Sequence, residues 1–142
     1  MTLRLPLMLL ALAPAFAAAA DWRVYDEGPA LQLAIDAKSV WHDKGRVHFV
    51  NQERFTERQR SKELAIDYHI RRLEGWADCN RQRYAFVSAS YYRLDGKSVY
   101  AQMFPLPEYD WAWQDVDRGS VAAAMFAEVC RLARTAHSKK TP

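Results

Sequence analysis

The sequence predicts an α+β domain: an antiparallel sheet of about six strands, one C-terminal helix packed on it, and two cysteines placed to tie them together. Three observations carry that prediction. Through residues 21–105 the apolar side chains alternate with polar or small ones, the period of a half-buried strand. Only residues 120–135 repeat apolar side chains at helical spacing. Strand signals come first and the helix last, an order that favours an antiparallel sheet with its helix on one face.

Each element follows from its residues. Trp22 and Val24, then Leu31, Leu33 and Ile35, alternate with polar or small neighbours, and Gly28-Pro29 punctuates between the two runs. Asp36 to Ser39 reads as a helical turn or tight bend. Asp43-Lys44-Gly45 turns the chain into Arg46 to Phe55, where Val47 and Phe49 flank His48. Thr56 to Glu63, wholly polar and dense in charge, reads as a long hairpin loop or the frayed ends of two strands. Leu64, Ile66, Tyr68 and Ile70 share one parity, so Leu64 to Cys79 reads as a long strand. A helix is the alternative there, since neither glycine nor proline precedes Gly75. Arg83 to Tyr92 is the clearest strand, and Asp95-Gly96 is a hairpin signal leading into Ser98 to Phe104. After Pro105 and Pro107 comes an aromatic loop, Tyr109 to Trp113. Ser120 to Thr135 is the helix, capped by Ser120 or Asp117, with Val121, Met125, Val129 and Leu132, joined by Phe126, as its apolar stripe.

The N-terminus reads as an export signal. Arg4 supplies a positive start, Leu5 to Phe16 is apolar apart from Pro6 and Pro14, and small residues run to Ala20. Ala15-Phe16-Ala17 fits the small-x-small rule, and the expected cleavage lies between Ala17 and Ala20. The apolar stretch is short of the roughly 20 residues that span a bilayer. A buried core helix is the alternative, but the segment lacks a polar face. The expected product is exported and periplasmic, with surface display or secretion as alternatives. No lipid anchor is seen, because no cysteine lies near the cleavage region. Residues 21–136 form the expected single domain of ordinary size, and 137–142 a loose tail. The 20 basic and 17 acidic residues leave an excess of only +3, reduced by one when Arg4 is lost. So small an excess argues against nucleic acid as a partner.

The two cysteines, Cys79 and Cys130, stand 51 positions apart. In an exported chain an even pair is most simply a disulfide, and Cys130 borders the helix stripe, so the bond would pin the helix to the sheet near the end of the Leu64–Cys79 segment. Free thiols or a metal pair are the alternatives. Chain-entropy arguments assign such a loop about 4 kcal/mol.

Nothing points to catalysis, a cofactor or a metal. His42, His48, His69 and His137 form no ligand motif. No serine sits in a nucleophile elbow, and no glycine-rich phosphate loop exists. Asp115 and Asp117 read as helix-start residues. Two clusters are candidate binding residues. Arg54, Arg58, Arg60 and Lys62, interleaved with Glu53, Glu57 and Glu63, read either as a solvated hairpin or as a contact for an anionic partner. Tyr109 and Trp111 read either as ordinary packing or as an interface, since loop aromatics bury much area with few torsions to freeze.

The mature chain resembles the surface-adhesin protein E family of Gram-negative envelope proteins. The resemblance rests on Asp21-Trp22, Ile35-Asp36-x-x-Ser39, Cys79-Asn80, Arg83-Tyr84, Ser90-Tyr91-Tyr92, Asp95-Gly96-Lys97, Trp113, Ser120 and a helix ending at Cys130. It implies a small antiparallel sheet holding a C-terminal helix through a disulfide, with Trp113 packed under the helix start. Founding members are outer-membrane lipoproteins that bind host matrix proteins, sometimes as dimers, so a homodimer is an expectation too. This chain departs in lacking the lipid-attachment cysteine. The function expected is non-catalytic, adhesin-like binding to a protein or envelope component through an exposed sheet face or loops. Alternatives are a periplasmic accessory subunit docking on another envelope protein, or a small ligand carrier.

Overall fold

The computed structural model describes residues 19–136. The expected signal up to residue 18 and the tail 137–142 with His137 lie outside them. The strands are β1 (Trp22–Glu27), β2 (Leu31–Asp36), β3 (Trp41–Asp43), β4 (Arg46–Ser61), β5 (Ile66–Asp78), β6 (Arg83–Tyr92), β7 (Ser98–Ala101) and β8 (Gln114–Asp115), followed by the helix α1 (Val121–Ala133). All pair antiparallel in the order β1-β2-β4-β5-β6-β7, with β3 beside β4 and β8 beside β6. The six strands of that path are the six expected; β3 and β8 are short additions at its flanks.

β4 and β5 are much longer than the usual strand of about 5–6 residues. Thr56 to Ser61, whose polarity reads as loop, continues β4 past an irregularity between Arg54 and Gln59. Cross-strand pairs Gln59–Tyr68, Arg60–Asp67 and Ser61–Ile66 hold this arm, so frayed strand ends was the nearer of the two readings. The helical alternative for Leu64–Cys79 fails because β4 on one side and β6 on the other complete the backbone hydrogen bonds of β5. β7 stops at Ala101 rather than Phe104: the amide of Gln102 still donates to Ala89, but Pro105 and Pro107 have none to donate.

One face of the sheet holds the core. Ile35 of β2, Val47 and Phe49 of β4, Ala77 of β5 and Tyr84 of β6 close against Met125, Phe126, Val129 and Ala133 of α1. The Ser120 hydroxyl accepts from the Ala123 amide, so Ser120, not Asp117, caps the helix. Val121, assigned to the apolar stripe, is 55% exposed; it shares the i, i+4 row of the buried Met125, Val129 and Ala133 but is the first residue of the helix, one turn before the buried part of that row begins. At the other end, the His42 ring donates to the Ala133 carbonyl at 2.7 Å and caps the C-terminus. Cys79, next after β5, bonds Cys130 in the last turn of the helix with Cα atoms 5.9 Å apart.

Phe49 lies directly across from Gly75 in the register. A Cβ added to Gly75 would stand 2.7 Å from the Phe49 ring and 3.0 Å from the Ala85 carbonyl. Gly75→Ala is therefore expected to cost about 1–3 kcal/mol, and Phe49→Leu in the same chain to cost less than the sum of the two single changes, as a double-mutant denaturation cycle reports. Reduction of the disulfide is expected to lower stability by about 4 kcal/mol. Chemical denaturation with and without reductant, followed at the helical circular-dichroism signal, measures it.

Candidate binding face

Because Val47, Phe49 and Ala77 point at the helix, alternation sends His48 and Trp76 to the opposite, helix-free face. They are direct cross-strand partners, and Trp41 of β3 pairs with His48 on its other side. Trp41 stacks on His48 with centroids 4.5 Å apart, and Trp76 meets both rings edge-on. His48 is only 8% exposed, yet both ring nitrogens face acceptors. Nδ1 lies 2.7 Å from the Ser39 carbonyl oxygen and Nε2 2.8 Å from the Glu74 carboxyl. The hydrogen bond from His48 holds the Glu74 carboxyl below its ordinary value against the opposing effect of burial.

The row continues into the aromatic loop. Trp111 stacks on Trp76 at 5.5 Å and meets Trp113 edge-on, while its indole N–H donates to the Leu106 carbonyl at 2.9 Å. The Arg46 guanidinium lies over Trp111 at 4.9 Å and Trp76 at 5.6 Å, and that of Arg83 over Trp113 at 4.5 Å. Farther along, Arg72 sits over both Trp22 and Tyr92, at 5.1 and 4.4 Å, and donates from Nε to Gln52. All five tryptophans of the chain thus lie on the helix-free side. Trp113, expected beneath the helix start, has its ring contacts with Arg83 and Trp111 instead. Its neighbour Gln114 is the one turned to the helix side, where it accepts from Tyr84.

Beside this row runs a loop whose apolar side chains meet solvent: Met103 is 83% exposed, Phe104 74% and Tyr109 87%. The Leu106 amide donates to the Val87 carbonyl at 2.7 Å and Glu108 accepts from Arg46 at 2.5 Å, so the loop is fastened to the sheet while its apolar residues stay outside. The Arg46 contact also holds the Glu108 carboxyl below its ordinary value.

The structure separates the two groups of candidate residues. Arg54, Arg58, Arg60 and Lys62 lie on the far arm of β4 and its turn; Arg58 lines a cleft with Asp67, His69, Arg93, Leu94 and Asp95. Arg60 pairs with Asp67 at 3.1 Å, and Glu53, one of the interleaved acids, pairs with Arg71 on β5. Tyr109 and Trp111 belong to the other end, near Arg46, about 40 Å of strand from Arg58. Tyr109 is free in solvent, whereas Trp111 is held in the stack. Sequence reasoning missed Trp41, His48, Trp76, Arg46 and Arg83. The parity of His48 and Trp76, opposite to that of Phe49 and Ala77, was the available signal. Among the described residues no group of three or more His, Cys, Asp or Glu side chains is arranged to hold a metal ion, and no helix is long and apolar enough to cross a membrane.

The Glu74 carboxylate supplies stability that is present above its ordinary value of 4.5 and lost as pH falls through the lower folded value. Glu74→Gln is expected to flatten the acid limb of the stability–pH profile, measured by urea denaturation from pH 3 to 7. An unchanged limb would show that His48 and Glu74 do not act as a pair.

The sequence profile of surface-adhesin protein E matches residues 22–131. Comparison with curated proteins returns no match. Among solved structures the fold is similar to that of Haemophilus influenzae protein E, with a TM-score of 0.55 and 14% identity, over 78% of this chain and 92% of that one.

Proposed function

The chain belongs to the surface-adhesin protein E family, and from that premise we propose that it is a non-catalytic, adhesin-like binding protein of the cell envelope. It engages a protein or envelope component with the loop at 103–109 and the helix-free sheet face beneath it. The observation that carries this reading is the solvent exposure of Met103, Phe104 and Tyr109 on a loop anchored at Leu106, Glu108 and Trp111. Exposed apolar groups on a held backbone are what a partner can cover with little ordering cost. The stacked tryptophans give that loop a stiff base, and Trp111 serves the surface by supporting it. The basic arm with Arg54, Arg58, Arg60 and Lys62 stands apart as a secondary contact for an anionic partner; its exposed ion pairs contribute little to stability.

A second reading, a periplasmic accessory subunit docking on another envelope protein, uses the same loop and differs in location. Protease added to intact cells separates the two. Cleavage with a periplasmic control spared supports the adhesin reading, and protection until the outer membrane is opened supports the accessory subunit. The surface itself is tested by photocrosslinkers placed at position 104 or 109 and, as a control, at position 57 on the basic arm. Capture of one discrete partner from 104 and 109 but not from 57 is expected. Equal capture from all three overturns the assignment of the loop.

A further inference from the structure

At the end of the sheet, the turn joining β3 to β4 and the turn joining β5 to β6 approach each other under Glu108. They enclose an open cleft of about 410 Å3 lined by Lys44, Arg46, Asp78, Arg81, Arg83 and Glu108, among others. Four of those six side chains are cationic and two are anionic. The cations come in two kinds. Lys44 and Arg81 are exposed at the rim, on turns whose backbones are fixed by the positive φ of Lys44 and Gly45 and by the Arg81 amide donating to Asp78. Arg46 and Arg83 are partly buried, with side chains 15% and 30% exposed.

These two partly buried guanidiniums are under-satisfied. Each lies over tryptophan, Arg46 over Trp111 and Trp76 and Arg83 over Trp113. Arg46 donates one hydrogen bond, to Glu108. Arg83 has only Asp78 nearby, at 3.7 Å, beyond hydrogen-bond distance. In both, the buried Nε has no acceptor. A guanidinium carries five donors, and removing them from water without returning acceptors costs free energy. Two arginines held over tryptophans, each with a buried Nε that lacks an acceptor and with only one side-chain hydrogen bond for the pair, are arranged to receive an acceptor-rich group.

We infer that this cleft binds a phosphomonoester. Several donors from separate directions and a local excess of two positive charges suit a tetrahedral dianion with three acceptor oxygens. A carboxylate would engage one arginine bidentately and leave the other unanswered. The cleft is open and roomier than a bare oxyanion, so the phosphate it receives carries a substituent. The same group is offered by a lipid headgroup and by a soluble phosphorylated sugar. This site adjoins the 103–109 loop at Glu108 but does not include Met103, Phe104 or Tyr109, and it does not depend on which partner those residues meet.

Titration of the 15N-labelled mature protein with inorganic phosphate, at constant ionic strength, tests the inference. Saturable shifts confined to the amides of 44–46 and 79–83 and to the side-chain Nε of Arg46 and Arg83 are expected. The double variant Lys44→Asn, Arg81→Ser changes only exposed residues, and asparagine tolerates the positive φ at 44. It is expected to bind phosphate about tenfold more weakly with an unchanged melting temperature, whereas Arg58→Ser, Arg60→Ser, which removes the same charge elsewhere, changes binding by less than about twofold. Vesicles of phosphatidylcholine with and without phosphatidic acid distinguish the sources. Retention on phosphatidic acid that the first double variant abolishes identifies a headgroup, and phosphate shifts without vesicle binding identify a soluble phosphomonoester. Absent shifts, shifts spread over the whole basic surface, or equal weakening by the two double variants would overturn the inference.

Discussion

Phe49 can lie flat across its neighbour strand because residue 75 has no side chain, and that contact sets the pairing of β4 with β5. Much else follows from this register. With Phe49 over Gly75, Val47 faces Ala77 and closes the core, while His48 faces Trp76 on the far side. A slip of β4 by one residue would turn His48 toward the helix, away from Glu74, and send the apolar Val47 and Phe49 to the opposite face. The disulfide secures the consequence: Cys79 follows β5 directly, so Cys130 draws α1 onto the face that Phe49 occupies.

The face left uncovered is built from planar groups. Tryptophans and arginines alternate along it, each guanidinium resting on an indole, so that polar and apolar groups support one another without a second layer. Half-buried tryptophans shield the stems of the arginines, and the arginines provide charge that keeps an aromatic surface hydrated at its edges. The loop at 103–109 is the exception, since Met103, Phe104 and Tyr109 stay mostly in solvent. A surface that is rigid beneath and apolar above suits association with a partner, and the cationic end of the same face suits a small anion. The two regions adjoin at Glu108, which belongs to the loop and also holds Arg46.

Strand and helix were legible where local signals stood alone. The period-two run through Arg83–Tyr92, the Asp95-Gly96 turn and the Ser120 cap each act through neighbours within a few residues, so the sequence carries them directly. The long arm of β4 was obscured because Thr56 to Ser61 is polar on both faces; its strand conformation comes from pairing with β5 beyond the core, where no apolar side is needed. Val121 was misassigned because helical spacing alone does not say how far along the stripe the sheet reaches. Met125, Val129 and Ala133 settle that only once the helix has been seated.

The family resemblance and the cysteine pair were present in the residues, because each is a pattern read along the chain. The candidate binding face was not. Tyr109 and Trp111 share one segment but have opposite environments, one in solvent and one locked on Trp76. Arg46, Trp76, Arg83 and Trp111 come from four separate segments, so no spacing rule could join them. The sequence by itself determined the alternation that makes a two-faced sheet and the helix that covers one face. Only the tertiary structure decided which aromatic and cationic groups meet on the other, because those meetings depend on strand register and on where the loop after β7 returns across the sheet.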